Sequence, residues 1–409
     1  MTSRFCRFCA QPDPALVLDL GSQPLANAYR AAEEWDRMEP HFPLPLLFCP
    51  SCALLQTIPA VGADQLFSDY LYFSSYSSSW VEHARRYVEM IGTRLGLDGR
   101  SKVIEIASND GYLLQFFVKA GIPCLGVEPA ANVAQAAKAK GVESLVAFWG
   151  ADTAARLAGR WGKADLILGN NVFAHVPDLA DFVKGLKAAL APRGTVTLEF
   201  PHARKMIEEV QFDTIYHEHF SYFTLLAARR ILASQGLAVY DVEELPTHGG
   251  SLRLYAGHAG DHAVSPEVAR LIGSEEAGGY GALARYRGFA EDARRVKRDL
   301  LEFLIGAKRA GRSVVGYGAA AKGNTFLNYC GIGGDFLDYV VDRSPHKQGR
   351  FLPGSGLPIH PVERVGESKP DYLLILPWNL KAEIAEQMAS IRDWGGRFVT
   401  AIPKLEVGP

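Results

Sequence analysis

The chain has 409 residues, enough for two or three domains. Its 48% apolar and 22% charged content is that of a globular protein, and a net charge of -2 excludes a global basic field for nucleic acid or an anionic membrane. No apolar run reaches the length of a membrane span, and the start Met1-Thr2-Ser3-Arg4-Phe5-Cys6 lacks a signal-peptide core, so the expectation is a cytoplasmic monomer without nucleic-acid or membrane partners.

In chain order, residues 1–65 are proline-rich and bracketed by Cys6-x-x-Cys9 and Cys49-x-x-Cys52. Paired CxxC spacing in a cytosolic chain points to tetrahedral zinc, and four thiolates leave no open position, so the ion is expected to be structural. Cys124 and Cys330 read as buried thiols. An aromatic and serine-rich stretch, Phe67 to Ser79, precedes a helix from Trp80 to Leu95. Strand and helix then alternate, with strands at Lys102–Ala107, Pro123–Glu128, Ser144–Ala147, Asp165–Gly169 and Thr195–Phe200. This is the rhythm of a doubly wound parallel sheet. Residues 201–260 read as less regular and Glu276–Ala310 as one long helix. A second α/β set has strands at Ser313–Tyr317, Phe336–Asp342, Asp371–Leu376 and Arg397–Ile402.

The turn after the first parallel strand carries Glu105, Ala107, Ser108, Asn109, Asp110 and Gly111. With one glycine and two carboxylates it disfavours a pyrophosphate and suits S-adenosylmethionine, whose methionine end carries an ammonium and a sulfonium. Glu128, ending the second strand, is placed to accept from ribose hydroxyls. The fourth strand runs into Asn170, Asn171 and, five residues on, His175, a loop expected to lie over the cofactor.

Tyr216-His217-Glu218-His219-Phe220 packs a phenol, two imidazoles and a carboxylate into four consecutive positions. Packing needs no such mixture; acid/base chemistry does. In a strand Tyr216 would face away from His219, whereas a helical turn or irregular loop puts both on one side. The latter suits a site in which His219 is the base, Glu218 tunes or orients it, Tyr216 donates to an oxyanion or is itself the base, and His175 shares either task. Farther on, Gly316-Tyr317-Gly318-Ala319-Ala320-Ala321-Lys322-Gly323-Asn324-Thr325 lets a backbone approach a ligand, and Lys322 favours an anion. His248, Gly249 and Arg253 are expected to line the same cleft.

Together, E-I-A-S-N-D-G-Y-L-L, N-N-V-F-A-H-V-P-D, F-D-T-I-Y-H-E-H-F-S-Y-F, T-H-G-G-S-L-R and G-Y-G-A-A-A-K-G-N-T, in this order after the cysteine knuckles, resemble the sugar C-methyltransferase family over essentially the whole length. The resemblance implies an N-terminal zinc-knuckle domain over 1–68, a central Rossmann-like S-adenosylmethionine-binding domain with the catalytic loop over 69–245, and a C-terminal Rossmann-like domain over 246–409 that helps hold a nucleotide-linked keto-deoxysugar. It implies methyl transfer to the carbon beside a ketone, with Tyr216, Glu218, His219 and His175 in the site and Lys322, Asn324 and Thr325 toward the substrate. A tyrosine before the first helix, Tyr70 or Tyr72, belongs to the same cluster. Ala107 departs from the family's usual glycine. Competing readings are methyl transfer to oxygen, nitrogen or a non-sugar acceptor, an NAD-dependent oxidoreductase and a zinc-binding scaffold. The missing GxGxxG disfavours the oxidoreductase, and the absence of a basic stripe disfavours the scaffold as a nucleic-acid module.

Overall fold

A computed structural model describes residues 5–62, 66 and 73–409; the expected site tyrosines Tyr70 and Tyr72 lie outside the described residues. In the N-terminal domain, β1 (Ala15–Pro24), β2 (His41–Phe48) and β3 (Leu55–Gln56) form an antiparallel sheet. Pro43 and Pro45 fall on β2 beyond the reach of β3, which pairs only with Leu47 and Phe48, so they sit where the strand has an open edge.

The central domain opens with α1 (Ser78–Leu95), whose first turn is capped by the Ser77 hydroxyl accepting from the Trp80 N–H. There follow β4 (Val103–Ile106), α2 (Leu114–Lys119), β5 (Cys124–Val127), α3 (Ala131–Lys138), β6 (Ser144–Leu145), α4 (Ala151–Trp161), β7 (Ala164–Asn170), α5 (Leu179–Ala189), β8 (Leu190–Pro201) and α6 (Ala203–Glu208). After the Tyr216–His219 loop come β9 (Ser221–Tyr222), α7 (Leu225–Ala233), β10 (Leu237–Leu245) and β11 (Ser251–His258). The sheet order is β10-β11-β8-β7-β4-β5-β6. Strands β8 to β6 are parallel, β11 is antiparallel to both its neighbours, and the central strands are apolar runs buried on both faces. From β4 the chain winds outward through β5 and β6, then returns to β7 on the other side. The carboxyl ends of β4 and β7 are therefore the switch point at which ligands bind such sheets.

One sequence expectation needs correction here. Residues 201–260 are not irregular: they supply the β10–β11 hairpin that completes the central sheet. The hairpin spans the expected division at 245/246, and its second strand, β11, hydrogen-bonds to β8. Strand β9 instead joins the N-terminal sheet, pairing with β3 at Gln56–Ser221 and Leu55–Tyr222.

The expected helix at 276–310 is two helices, α8 (Pro266–Ala277) and α9 (Phe289–Arg309). Gly278 and Gly279, the latter at φ 77°, end the first, and Tyr280 and Tyr286 are buried in the link. The C-terminal domain then runs β12 (Val314–Tyr317), α10 (Ala321–Cys330), β13 (Val340–Val341), β14 (Ile359–His360), α11 (Arg364–Ser368), β15 (Tyr372–Ile375), α12 (Lys381–Gln387), β16 (Arg397–Thr400) and β17 (Glu406–Gly408). Its sheet order, β14-β13-β12-β15-β16-β17, is parallel except for β17. A second switch point lies between β12 and β15. Among the described residues, no helix is long and apolar enough to cross a membrane.

Candidate active site

At the first switch point the polar groups are buried and largely unsatisfied. Glu105 is fully buried, and neither carboxylate oxygen has a hydrogen-bond partner beyond a weak pull from the Tyr112 hydroxyl. Burial, reinforced by Glu128 and Asp110, holds its carboxyl well above the usual range. Ser108 Oγ, Asp110 Oδ1, Asn170 Nδ2 and Asn171 Oδ1 are likewise buried without a partner. Such groups carry a desolvation cost that a bound ligand removes. Glu128 is already engaged by the backbone, accepting from Asn109 N–H and Ala130 N–H, both at 2.9 Å, and burial raises its pKa. Beside it Leu145, Val146 and Phe148 are 38%, 53% and 42% exposed, and Leu145 is hydrogen-bonded through its carbonyl to Glu128 N–H at 3.0 Å. This apolar face suits a purine ring; sequence reading passed over it, although the run Leu-Val-Ala-Phe-Trp after a strand is its signal. Asp110 Oδ2 is ion-paired with Lys140 Nζ at 2.9 Å, which leaves Glu105 as the unpartnered carboxyl that fits the cationic methionine end of S-adenosylmethionine; the Glu128 corner fits ribose, and the apolar face fits adenine.

The turn also explains the Ala107 departure. Ala107 stands at φ 55°, in the left-handed region that favours glycine. Its cost is conformational.

The Tyr216–His219 loop is a turn: the His219 N–H bonds to the Tyr216 carbonyl at 2.9 Å. This puts the Tyr216 and His219 rings 4.0 Å apart and His175 edge-on to His219 at 4.7 Å. His219 Nδ1–H donates to the Thr214 carbonyl (2.9 Å), and His175 Nδ1–H donates to the Glu218 carbonyl (2.8 Å). A carbonyl only accepts, so both rings carry their proton on Nδ1 and keep the basic pair on Nε2. Burial first, then the charges of His175 and Lys322, push His219 well below the ordinary histidine range; burial takes His175 down to about 4. Both are neutral at physiological pH.

Glu218 does not orient His219. Its buried carboxylate accepts from Asn27 Nδ2 of the N-terminal domain (3.1 Å), and burial raises its pKa. The Thr214 carbonyl holds the His219 ring instead, a backbone role that no side-chain pattern announces. His217 points the other way, to the Phe42 carbonyl at 3.3 Å.

At the second switch point Lys322, on the first turn of α10, donates to Asn379 Oδ1 (2.8 Å) and lies 4.8 Å over the Trp378 ring. Burial lowers its pKa, and Asp213 pulls the other way. Trp378 Nε1–H donates to Asp213 Oδ2 at 2.8 Å, which ties this domain to the catalytic loop. A Cβ on Gly249 would lie 2.4 Å from the Trp378 ring, so glycine there permits the close approach. Trp378 was missed in the sequence; an aromatic right after an apolar strand, Leu376-Pro377-Trp378, is the available signal. His248 meets Asn171 Nδ2 at 3.4 Å and sits edge-on to Trp80 at 4.8 Å, with burial and the Lys322 charge lowering it to about 4.

Three expected cleft residues are placed otherwise. Arg253, on β11, is buried against Glu199 (2.7 Å) and Glu243 (3.1 Å) over the Tyr87 ring, so its guanidinium is already neutralised. Asn324 is buried and donates to the Ala26 carbonyl at 2.6 Å, stitching α10 to the N-terminal domain. Thr325 is buried within the same helix.

The four cysteines meet as expected. Their sulfurs all lie within 4.8 Å of one another, with Cys6–Cys52 at 3.6 Å and Cys9–Cys49 at 3.5 Å. Thiolates at about 2.3 Å from one tetrahedral zinc stand about 3.8 Å apart, so the set fits the ion. Burial raises the Cys9 thiol, and a dication supplies the charge that favours thiolate.

A doubly wound sheet with a buried, unsatisfied carboxyl at its switch point, neutral buried imidazoles beside it and a closed four-cysteine knuckle is the arrangement of an S-adenosylmethionine-dependent methyltransferase with a zinc-binding domain. Family models agree along the chain: "Putative zinc binding domain" at residues 6–67, "Methyltransferase domain" at 80–242 and "C-methyltransferase C-terminal domain" at 246–403. The chain is 38% identical over 403 residues to C-methyltransferase NovU of Streptomyces niveus, covering 98% of this chain and 96% of that one. It is 30% identical over 94 residues to a ubiquinone biosynthesis O-methyltransferase of Bartonella bacilliformis, 23% of this chain and 38% of that one. Among solved structures, the magnesium protoporphyrin IX methyltransferase of Synechocystis with bound SAM matches at a TM-score of 0.36 and 16% identity, over 50% of this chain and 100% of that one. The chain belongs to the sugar C-methyltransferase family, and it is a C-methyltransferase.

Proposed function

We propose that the enzyme methylates the carbon beside the ketone of a nucleotide-linked 4-keto-deoxysugar, a dTDP sugar methylated at C-3′. The observation that carries this reading is the neutral, buried His219, ring to ring with Tyr216 and within the field of Lys322. A sugar carbon becomes a nucleophile only after losing a proton, and the ketone makes that proton acidic. His219 Nε2 takes it, the electron pair moves onto the ketone oxygen, and Tyr216 and Lys322 supply the donor and the charge that favour the enolate. When bound, S-adenosylmethionine supplies a methyl on a sulfonium; a carbon–carbon bond forms as the carbon–sulfur bond breaks. Nδ1, held by Thr214, keeps the base aimed, and His175 packs beside it. Trp378 and the Gly318 turn are the surfaces offered to the nucleotide end, with Lys322 at the sugar side.

A 4-ketone acidifies C-3′ and C-5′ alike, so the position of the new bond is read directly. The test is incubation with dTDP-4-keto-6-deoxyglucose and methyl-deuterated cofactor, with the new carbon–carbon bond located by NMR. Label on C-3′ is expected. Label on C-5′ corrects the position, and label on oxygen overturns the reaction.

A further inference from the structure

We infer that Arg7 is a positioning residue for the reaction, fastening the first cysteine knuckle to both loops that carry the site histidines. This rests on the reading of His219 and His175 given above. Arg7 lies between Cys6 and Cys9. Its Nη1 donates to the carbonyls of Pro177 (2.9 Å) and Val176 (3.3 Å), the two residues after His175. Its Nη2 donates to Ser221 Oγ (2.6 Å) and to the Phe220 carbonyl, immediately after His219, and its guanidinium lies 5.5 Å over the Phe220 ring. One planar fork thus holds both loops.

The second knuckle grips the same place. Thr57, following β3, donates through Oγ1 to the His219 carbonyl (2.9 Å) and through N–H to the Phe220 carbonyl (3.1 Å). Gln56 pairs with Ser221 in the β3–β9 ladder while its Oε1 accepts from Arg7 N–H at 3.0 Å. The two loops are also bonded to each other, Phe220 N–H to the Ala174 carbonyl at 2.8 Å. These contacts come from the two knuckle segments, Arg7 between Cys6 and Cys9 and Gln56–Thr57 after Cys52, and none needs the substrate. A misplacement of about 1 Å in a reacting group costs on the order of 10²-fold.

The test compares Arg7→Met, which keeps an apolar stem without the fork, with Arg7→Lys and His219→Asn. Turnover and KM are measured with dTDP-4-keto-6-deoxyglucose, S-adenosylhomocysteine affinity by calorimetry, and bound zinc by atomic absorption. Arg7→Met is expected to lower kcat by about 10–100-fold, with KM and product affinity within about twofold and one zinc per chain, and Arg7→Lys to recover only part. Turnover within twofold of the parent enzyme overturns the inference, and so does a joint loss of zinc and product binding, which would make Arg7 a folding residue. Should Arg7→Met fail to accumulate, Arg7→Lys decides alone, parental turnover counting against it. Near-parental turnover of His219→Asn would instead sink the reading of the base.

Discussion

The two parallel sheets show what one architecture does with opposite charge. Both place a turn and a helix start at a switch point. In the central domain that turn carries Glu105, Asp110 and Glu128; both Glu105 oxygens and Asp110 Oδ1 are left without partners, while Asp110 Oδ2 meets Lys140 Nζ at 2.9 Å. In the C-terminal domain the matching carboxylate, Asp342, is spent on Ala319 N–H (2.7 Å) and Ser344 N–H (2.8 Å), and the charge left facing the site is Lys322. One crevice suits a cation and the other an anion, and the catalytic loop is held between them by Trp378 and Asp213. The methyl transfer proposed above, from a sulfonium to an anionic acceptor, needs that arrangement.

The loop between the crevices gives the largest expected effect. His219→Asn should lower turnover by about 10²–10⁴-fold while leaving S-adenosylhomocysteine binding intact. It should also abolish deuterium washout from the acceptor carbon in the absence of cofactor. Washout persisting in this variant but lost in Tyr216→Phe would move the base to the phenol.

The cation crevice comes next. Glu105→Gln should weaken S-adenosylmethionine binding roughly 10–100-fold, the worth of a charged hydrogen bond in a buried site. The pH dependence has a definite sign. Glu105 is raised well above 4.5 in the free protein, so it holds its proton into a higher pH range. A bound ammonium favours the carboxylate, so binding should release a proton and affinity should rise as pH rises through the free-enzyme pKa. Calorimetry in buffers of different ionisation enthalpy reads this directly; Glu105→Gln should remove the proton release, and an unchanged release would assign it elsewhere.

The anion crevice should respond separately. Lys322→Gln is expected to lower kcat/KM for the acceptor about tenfold, the scale of a lost charge-assisted hydrogen bond, without changing cofactor affinity. It also removes a charge that depresses His219. In the parent enzyme kcat/KM should stay flat as pH falls through 6.5, because the base remains neutral until well below that value. In Lys322→Gln the acid limb should move up in pH. An unmoved limb would mean that the cation does not face the base.

Legibility in the sequence followed distance along the chain. The CxxC pairs, the Glu105–Gly111 turn and Tyr216–His219 are local, so they stand out in the sequence. Arg253 was misplaced because its partner Glu199 lies on another strand, and a guanidinium in a site motif looks the same whether it is free or neutralised. The β10–β11 hairpin was read as irregular because β11 enters the sheet out of sequential order. The support of the histidines was invisible because it runs through carbonyls of Thr214 and Glu218 and through Arg7, which belongs to a different domain.

The smallest expected effect isolates conformation from chemistry within the cation crevice. Ala107 occupies φ 55°, a region that costs an L-residue roughly 1–2 kcal/mol. Glycine removes that cost but adds freedom to the unfolded chain, about 0.4–1 kcal/mol in the other direction. The net expectation for Ala107→Gly is a gain of about 0.5–1 kcal/mol, read as a higher urea midpoint at unchanged slope. Cofactor affinity should stay within about twofold, because the Ala107 N–H already donates to the Val127 carbonyl at 2.8 Å and the turn keeps its shape. If affinity rose much more than stability, the methyl group would be crowding the ligand after all, and the alanine would be tuning cofactor binding rather than carrying backbone strain.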